Sequence, residues 1–528
     1  MTTVDPGGRE PDETDVVAPA KPVFGNIVSG LSWNTGGQFA AVLLNLALTP
    51  FLLARLGVDR YGVFALVATL RGLLSNIDGG LGPTGNRYFA VHAGSGDRRS
   101  TSSLLVTLLA LSLLVVGALC GIVALVAPQL TSYAHTSPEL HREAARLLRE
   151  FMPLLLVSTL RAVLQRILIG HHRWAYLNAT GTIAQAVYVA ASFAFVADGL
   201  SLTGLVLASA CEELVMVVSV PYAARKYIDL RDCRLMSLSE LRPIVRYAVR
   251  VQIAEVGSAF NFEIDGLLVA LIFPVRYVTF YSIGSNISSQ LSGIPSNALN
   301  PIGVTLSRTF GRFNLSKTLE EFAIIQRVWV RTIAAFPLVG AVAVLVGVDR
   351  WLGPQTRLAG VVAAILLVGQ SPMLMSGVMD VLGKAANLPG LESRYLGVGM
   401  IVNVAFTVPL AFLIGMLGVP IGTALGQITS SVYFLRIARR QIDPDLPSFV
   451  PDFPVVPVLL AIGVTALFEI GAFEIAPRGA LGLVTCAVPA CIGLGTYALA
   501  TLGRERSVRG ARELALVVRG LRRENSTG

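Results

Sequence analysis

Charge is what this 528-residue chain has least of: Asp, Glu, Lys and Arg together make up 14%, against about 25% in soluble domains. With 53% hydrophobic residues and a mean hydropathy of +0.66, it cannot hide its apolar surface in a water-soluble core. Cysteine is sparse too. Cys120, Cys211, Cys233, Cys486 and Cys491 lie in apolar stretches or, for Cys233, in a basic loop, which excludes a disulfide framework and a zinc site. The histidines His92, His135, His141, His171 and His172 have no metal-helix spacing. Gly377-Val-Met-Asp-Val-Leu-Gly383-Lys384 resembles a phosphate-binding loop, but it is one residue too long and Ala385 stands where Ser or Thr is required. No enzyme, metal or cofactor is expected. The net charge of +9 would suggest nucleic acid only if the basic residues gathered on one folded face. They sit between apolar runs instead, so no nucleic-acid partner is expected.

Long apolar runs are what the chain has most of. Windows of about 18–28 residues, long enough to cross a bilayer, fall near 27–54, 61–82, 102–127, 147–169, 174–197, 200–222, 244–273, 277–305, 323–347, 356–382, 393–415, 417–437, 454–473 and 479–501. They lack the ten-residue alternation of a membrane barrel, so backbone groups must be satisfied within helices. The predicted fold is an all-α integral membrane protein of about 14 transmembrane helices. With the N-terminus placed in the cytoplasm, the 42 Lys and Arg residues sort into about 30 inside, about 9 outside and Arg71, Arg161 and Arg166 within spans. That bias is the one expected of cytoplasmic loops. It places both termini in the cytoplasm.

Residues 1–25 are polar and acidic, the reverse of a signal peptide, and read as a disordered cytoplasmic tail. A six-helix bundle is predicted over 26–222, a basic linker over 223–242, a second six-helix bundle over 243–440, two further helices over 441–502 and a basic tail over 503–528. The tail reads either as an amphipathic helix on the anionic inner leaflet or as a solvated topology signal. Sliding the chain on itself by 216 residues supports the two-bundle division. Asn45, Ala54, Arg60, Tyr61 and Phe64 then fall on Asn261, Ala270, Arg276, Tyr277 and Phe280, at spans one/two and seven/eight. Such internal repeats are common in transporters.

Ionisable groups in hydrocarbon cost several kcal/mol, so each one within a span points to a cavity or a partner. At helical spacing, Asn34, Gln38 and Asn45 form a stripe on span one, Arg71 and Asp78 on span two, Asn178 and Gln185 on span five, and Asn286, Gln290 and Asn297 on span eight. A single stripe of amides reads more readily as glue between helices than as a ligand site; many stripes together favour a water-filled lumen. Arg71 lies near the middle of its span, and a guanidinium suits phosphate oxygens bidentately. The alternative is an internal pair with Asp78 or a span-seven carboxylate. Arg161 resembles it but lies nearer the cytoplasmic end. Glu255, Glu263, Asp265 and Asp380 are candidates for coupling to a proton or sodium ion, or structural counter-ions.

Leu53-Ala-Arg-Leu-Gly-Val-Asp-Arg-Tyr-Gly-Val-Phe-Ala-Leu66 resembles the stretch that links spans one and two in bacterial polysaccharide flippases. Ile264-Asp265, Tyr281-Ser282 and Pro301 followed by Ser307-Arg308 resemble the pattern of that family at spans seven and eight, with the proline spaced further from Ser-Arg. The family is part of the multidrug/oligosaccharidyl-lipid/polysaccharide exporter superfamily. The resemblance implies a flippase in the bacterial cytoplasmic membrane that turns a polyprenyl-diphosphate-linked glycan from the inner to the outer leaflet by alternating access. A diphosphate would then seek Arg71 and Arg161, the amides would meet sugar hydroxyls, and membrane lipid would take the prenyl tail. Span one carries only amides before Arg55, unlike the Arg-rich first span of peptidoglycan-precursor flippases, which disfavours that substrate. Two other readings stand beside this one: a cation-coupled drug exporter of the same superfamily, and a scaffold subunit that docks polysaccharide-synthesis enzymes through the 223–242 loop and the basic tail.

Overall fold

A computed structural model describes residues 23–95, 98–133, 135–171, 173–229, 233–312, 315–385, 390–442, 453–475, 477 and 479–502. The acidic N-terminal tail up to residue 22 and the basic tail from 503 lie outside the described residues, as do the side chains of 23–42 and 253–262. Among the described residues every regular element is a helix. In chain order they are α1 (Val23–Ser75), α2 (Leu81–Ser95), α3 (Arg98–Ser132), α4 (Pro138–Gly170), α5 (Trp174–Ala197), α6 (Ser201–Ala224), α7 (Leu238–Ile272), α8 (Val275–Arg312), α9 (Leu315–Ile333) and α10 (Phe336–Leu352). Then follow α11 (Arg357–Met375), α12 (Gly377–Ala385), α13 (Gly390–Ile414), α14 (Gly418–Gln441), α15 (Val455–Ile475) and α16 (Ala480–Leu502). All fourteen predicted windows fall on helix. Among the described residues nine helical stretches are long and apolar enough to cross a membrane, and one of these, Arg394–Gln441, takes in most of α13 together with α14.

The packing is that of a protein dissolved in lipid. Leu125, Leu413 and Leu499 are each 77% exposed, and such apolar surface is tolerable only against hydrocarbon. The largest core cluster draws Leu52, Tyr61 and Phe151 from the N-terminal half together with Val275, Val344 and Leu367 from the C-terminal half. The internal repeat is visible in side-chain geometry. Tyr61 and Phe64 meet edge to face at 6.2 Å, and their counterparts Tyr277 and Phe280 do so at 6.1 Å.

Three windows differ from continuous helices. Spans one and two share α1, which is interrupted at Gly57, where φ is 77° and ψ is 169°. Spans nine and ten are each divided, into α9 with α10 and α11 with α12. Span two is broken between Ser75 and Leu81, whereas α8, its repeat counterpart, continues through the equivalent positions 292–296. The break has a local cause. Gly79 and Gly80 both take positive φ, 76° and 68°, and the Asp78 carboxylate accepts from the amides of Gly80 and Gly82 at 2.8 Å each. Asp78 thus caps α2, satisfying amides that a helix start leaves open.

The break is also where the two halves touch. Gln252 on α7 accepts from Gly80 N (2.5 Å) and donates to Asn76 O (2.8 Å). A Cβ at Gly80 would stand 2.0 Å from Ala248 O. We therefore expect Gly80→Ala to force α7 away, combining a left-handed backbone strain with a steric clash, and to lower the apparent stability by about 3 kcal/mol or more. Thermal unfolding in detergent checks this; an unchanged midpoint would contradict the contact.

The segment between the halves is fastened down. Amides of Asp229, Arg234 and Met236 donate to the hydroxyls of Ser102 (2.8 Å), Ser103 (3.4 Å) and Thr107 (3.0 Å) on α3. Ser237 and Glu240 then form a reciprocal capping box that opens α7. Those Ser237 hydrogen bonds hold the Glu240 carboxyl below its usual range, so this cap is complete above the ordinary carboxylate pKa and is lost as pH falls through the depressed value.

Candidate functional site

Three polar groupings lie inside the helical body. The first is in the N-terminal half. Arg161 and Gln165 lie one turn apart on α4 and so share a face. Arg161 Nε contacts Glu213 Oε1 on α6 at 2.5 Å, and Arg161 Nη1 donates to Gln165 Oε1 at 2.7 Å. The ion pair is largely shielded, with side-chain exposures of 15% and 12%. Arg161 is therefore already neutralised. Loss of either partner strands a shielded charge, so Arg161→Met and Glu213→Gln are each expected to lower stability by about 3 kcal/mol. The double variant is expected to be milder than the sum, and a double-mutant cycle of unfolding midpoints measures the difference.

Arg71 behaves differently. Its guanidinium sits over the Phe151 ring of α4, 5.2 Å from the centroid, a cation–π contact. Its charge acts on Glu212 of α6 and Tyr188 of α5. Yet among the described residues no carboxylate lies within ion-pair distance of it. The internal pair with Asp78 that the sequence allowed does not form, since Asp78 caps α2. A guanidinium with its hydrogen-bonding edge uncommitted to a carboxylate is suited to an anionic ligand. Glu212 and Glu213 were missed by the sequence reading, although two adjacent carboxylates inside the 200–222 window are the same signal that singled out Arg71.

The second grouping lies between the halves. A small cavity of about 20 Å³, room for a single water, is lined by Asn45 and Thr49 of span one, Tyr61 of span two, Asn286 and Gln290 of α8, and Trp351 at the end of α10. Of the amide stripes on spans one and eight, Asn45, Asn286 and Gln290 line this cavity. Thr49 Oγ1 donates to the Asn45 carbonyl at 2.9 Å and pairs with the Tyr61 hydroxyl. Asn286 Nδ2 donates to Ser282 Oγ at 3.4 Å. Gln290 Oε1 is buried without a hydrogen-bond partner.

The third grouping is in the C-terminal half. Asp265, 2% exposed, accepts from Tyr281 Oη at 2.9 Å, Thr423 Oγ1 at 2.6 Å and Asn403 Nδ2 at 3.2 Å. Thr407 donates to Asn403 Oδ1 at 2.6 Å and so fixes the amide with its nitrogen toward Asp265. Helices α7, α8, α13 and α14 each supply one of the four contacting groups. Every donor is neutral, and among the described residues Asp265 forms no ion pair. Asn403 and Thr423 also line a small cavity of about 30 Å³ with Gln427 and Ser430.

The remaining candidates are dispersed. Asp380 pairs with Lys384 one turn on, at 2.8 Å. Glu263 faces span two, where a Cβ at Gly72 would stand 3.1 Å from its Oε1. Asn178, Gln185 and Asn297 line neither cavity. The side chains of Asn34, Gln38 and Glu255 lie outside the described residues.

The halves also meet at the end that carries Gly57. Asp59 lies 3.7 Å from Arg276, Thr279 Oγ1 donates to Val58 O at 2.6 Å, and Val275 N donates to His135 O at 3.4 Å. Together with Gln252 at the span-two break, both ends of the interface are bridged.

Residues 27–307 match the family described as polysaccharide biosynthesis protein. No curated protein sequence matches the chain. Among solved structures, the chain is similar to the lipid II flippase MurJ in an inward closed conformation, with a TM-score of 0.65 at 13% identity over 91% of this chain and 99% of that one. It is similar to an inward-facing multidrug resistance MATE family transporter of the MOP superfamily, with a TM-score of 0.61 at 15% identity over 76% of this chain and 95% of that one. A Vibrio cholerae MATE transporter matches with a TM-score of 0.56 at 12% identity, covering 80% and 99% of the two chains. At these identities the likeness is one of fold.

Proposed function

Because the chain belongs to the polysaccharide biosynthesis protein family and is a multi-pass membrane protein with a flippase- and transporter-type fold, we propose that it is a lipid-linked oligosaccharide flippase. It moves a polyprenyl-diphosphate-linked glycan from the inner to the outer leaflet of the bacterial cytoplasmic membrane. Two six-helix bundles, 26–222 and 243–440, alternate access to a shared lumen, with the 441–502 helices appended and both termini in the cytoplasm. The observation that carries this reading is Arg71, a guanidinium deep in a span, held by an aromatic face and paired with no carboxylate among the described residues. It takes the diphosphate, and the prenyl tail stays in the bilayer. Arg161, engaged by Glu213, positions α4 and α6 instead. Alternation requires the bridges at the Gly57 end and at the Gln252 break to open in turn.

Asp265 is the coupling group. A buried carboxylate ringed by neutral donors, with no cation paired to it among the described residues, suits a monovalent ion or proton that enters to neutralise it. That same feature would serve a cation-coupled drug exporter, which is the second reading. Neighbouring polysaccharide-synthesis enzymes are the partners that supply the substrate and consume the product. A deletion strain separates the two readings: a flippase leaves lipid-linked oligosaccharide accumulated in the inner leaflet, whereas a drug exporter leaves it at the normal level and raises drug sensitivity.

A further inference from the structure

The two appended helices carry an ionisable group that the transport scheme does not use. Glu469 is 1% exposed and sits on α15, six residues before the helix ends at Ile475, or about 9 Å along the axis. Neither of its carboxyl oxygens has a hydrogen-bond partner, and among the described residues it forms no ion pair. Helix α15 packs against α16 and α10. From α16 the buried Cys486 thiol acts on Glu469, but a thiol is only a weak donor. From α10 come Arg350 and Asp349, and Asp349 is engaged by Arg357 at 3.3 Å. Arg331 of α9 meets α16 at Tyr497, about 16 Å along that helix from Cys486.

Arg350 grips the far end of α15. Its Nη2 donates to the Phe473 carbonyl, its guanidinium lies over the Phe473 ring at 3.8 Å, and its own carbonyl accepts from Gly479 N at 2.9 Å. Its Nε is nevertheless buried with no hydrogen-bond partner. Phe473 lies one turn after Glu469, so the two share a face of α15 about 6 Å apart along the axis. The Cys486 thiol is acted on by Glu469 and Arg350 alike, which puts the unpartnered carboxyl and the unpartnered guanidinium nitrogen in one neighbourhood.

We propose that Glu469 is a proton-binding site, and that its proton decides which of two acceptors on α15 Arg350 holds. A charge on Glu469 in the arrangement described would be buried and uncompensated. A metal cation in its place would require several oxygen ligands, whereas a proton requires none. With the proton bound, Glu469 is neutral and Arg350 caps α15 at Phe473 O, one of the carbonyls that a helix end leaves open. When the proton leaves to water, the carboxylate draws the guanidinium one turn back along α15, where Nε and the carboxylate oxygens satisfy each other. Phe473 O then loses its cap, and the grip of α10 on the end of the 455–502 hairpin loosens. The site is separate from Asp265, whose carboxylate already has three donors. With both termini in the cytoplasm, as proposed above, this end of α15 faces outward, so the site responds to external pH; that direction alone rests on the proposed topology.

The test uses the full chain in detergent and infrared spectroscopy, in which the C=O stretch of a protonated carboxyl stands apart from the bands of a carboxylate. The spectrum of Glu469→Gln is subtracted from that of the parent over a series of pH values. We expect a protonated-carboxyl band that is present at acidic pH and lost reversibly as pH rises. Arg350→Gln, subtracted in the same way, removes the cation that receives the carboxylate, so its band should survive to a proton concentration about tenfold lower or more. Cys486→Ala should shift the frequency of the same band by removing the thiol contact, and it assigns the band even if Glu469→Gln does not fold. Absence of the band at every pH, or a band unchanged across the series, would overturn the proton site. An Arg350→Gln profile equal to that of the parent would overturn the exchange of acceptors. The measurement involves no transported substrate, so failure of the flippase reading leaves it standing, and its own failure leaves the Arg71 reading untouched.

Discussion

Arg71→Glu is expected to abolish export of the cell-surface glycan while the protein remains in the membrane at its normal level. The expectation follows from what Arg71 lacks. Its ring contact with Phe151 holds the side chain in place, but among the described residues no carboxylate lies at ion-pair distance from it. Removing it therefore leaves no stranded anion at ion-pair distance, in contrast to Arg161, whose loss would strand Glu213. A charge-assisted hydrogen bond contributes about 1.5–3 kcal/mol, so Arg71→Gln should weaken binding of a polyprenyl diphosphate by about ten- to a hundredfold. Glutamate adds like-charge repulsion, and lysine restores the charge without the two-pronged geometry. The order Arg > Lys > Gln > Glu in binding, measured on purified protein, is the signature. Normal surface glycan in Arg71→Glu cells removes Arg71 from the mechanism.

Asp265→Asn is expected to uncouple transport without unfolding the protein. Tyr281 and Thr423 donate to the same carboxylate oxygen, and an Asn nitrogen there would face two hydroxyls. Thr423 already shares its proton with Val419 O at 3.1 Å, so its hydroxyl can turn and accept instead. What the variant loses is the negative charge. One charge moved across the membrane is worth about 2.3 kcal/mol per 100 mV, so the leaflet gradient sustained by an electrogenic ion should fall by about fiftyfold per 100 mV. Binding of polyprenyl diphosphate at Arg71 should be unchanged. The measurement is the steady-state distribution of lipid-linked glycan in proteoliposomes with and without an imposed ion gradient. A variant that still responds to the gradient as the parent does would place coupling elsewhere.

The helices were legible because apolar length is a local property. Each window could be read without knowing its neighbours, and the repeat at 216 residues joined spans one/two to seven/eight before any contact was known. The matching ring geometries of Tyr61 with Phe64 and Tyr277 with Phe280 are that repeat in three dimensions. The break in span two was less visible. The 61–82 window read as one span, and the run Asp78-Gly79-Gly80 interrupts it, through a cap and two positive φ values. Candidate residues were found whenever polarity sat inside an apolar window, but their partners were not. Asp265 draws its donors from positions 16, 138 and 158 residues away, a separation that no periodicity reports. Arg161 and Arg71 looked alike along the chain; Glu213, 52 residues on, is what separates them.

The same reasoning bears on the scaffold reading. The loop that would serve as a docking arm has backbone amides held by Ser102, Ser103 and Thr107, so binding a partner through that backbone would first have to displace three hydrogen bonds. A joint between moving halves is a better use for a segment fastened in this way.

The central claim is that this chain carries a diphosphate-linked glycan across the bilayer. Reconstitution in proteoliposomes with a fluorescent polyprenyl-diphosphate trisaccharide, followed by addition of an impermeant quencher, tests it most directly. The account predicts a protein-dependent rise in the fraction of probe that changes leaflet, lost in Arg71→Glu and retained in Arg71→Lys at a lower rate. Leaflet exchange equal to that of empty vesicles, or equal in the parent and Arg71→Glu proteins, would contradict it.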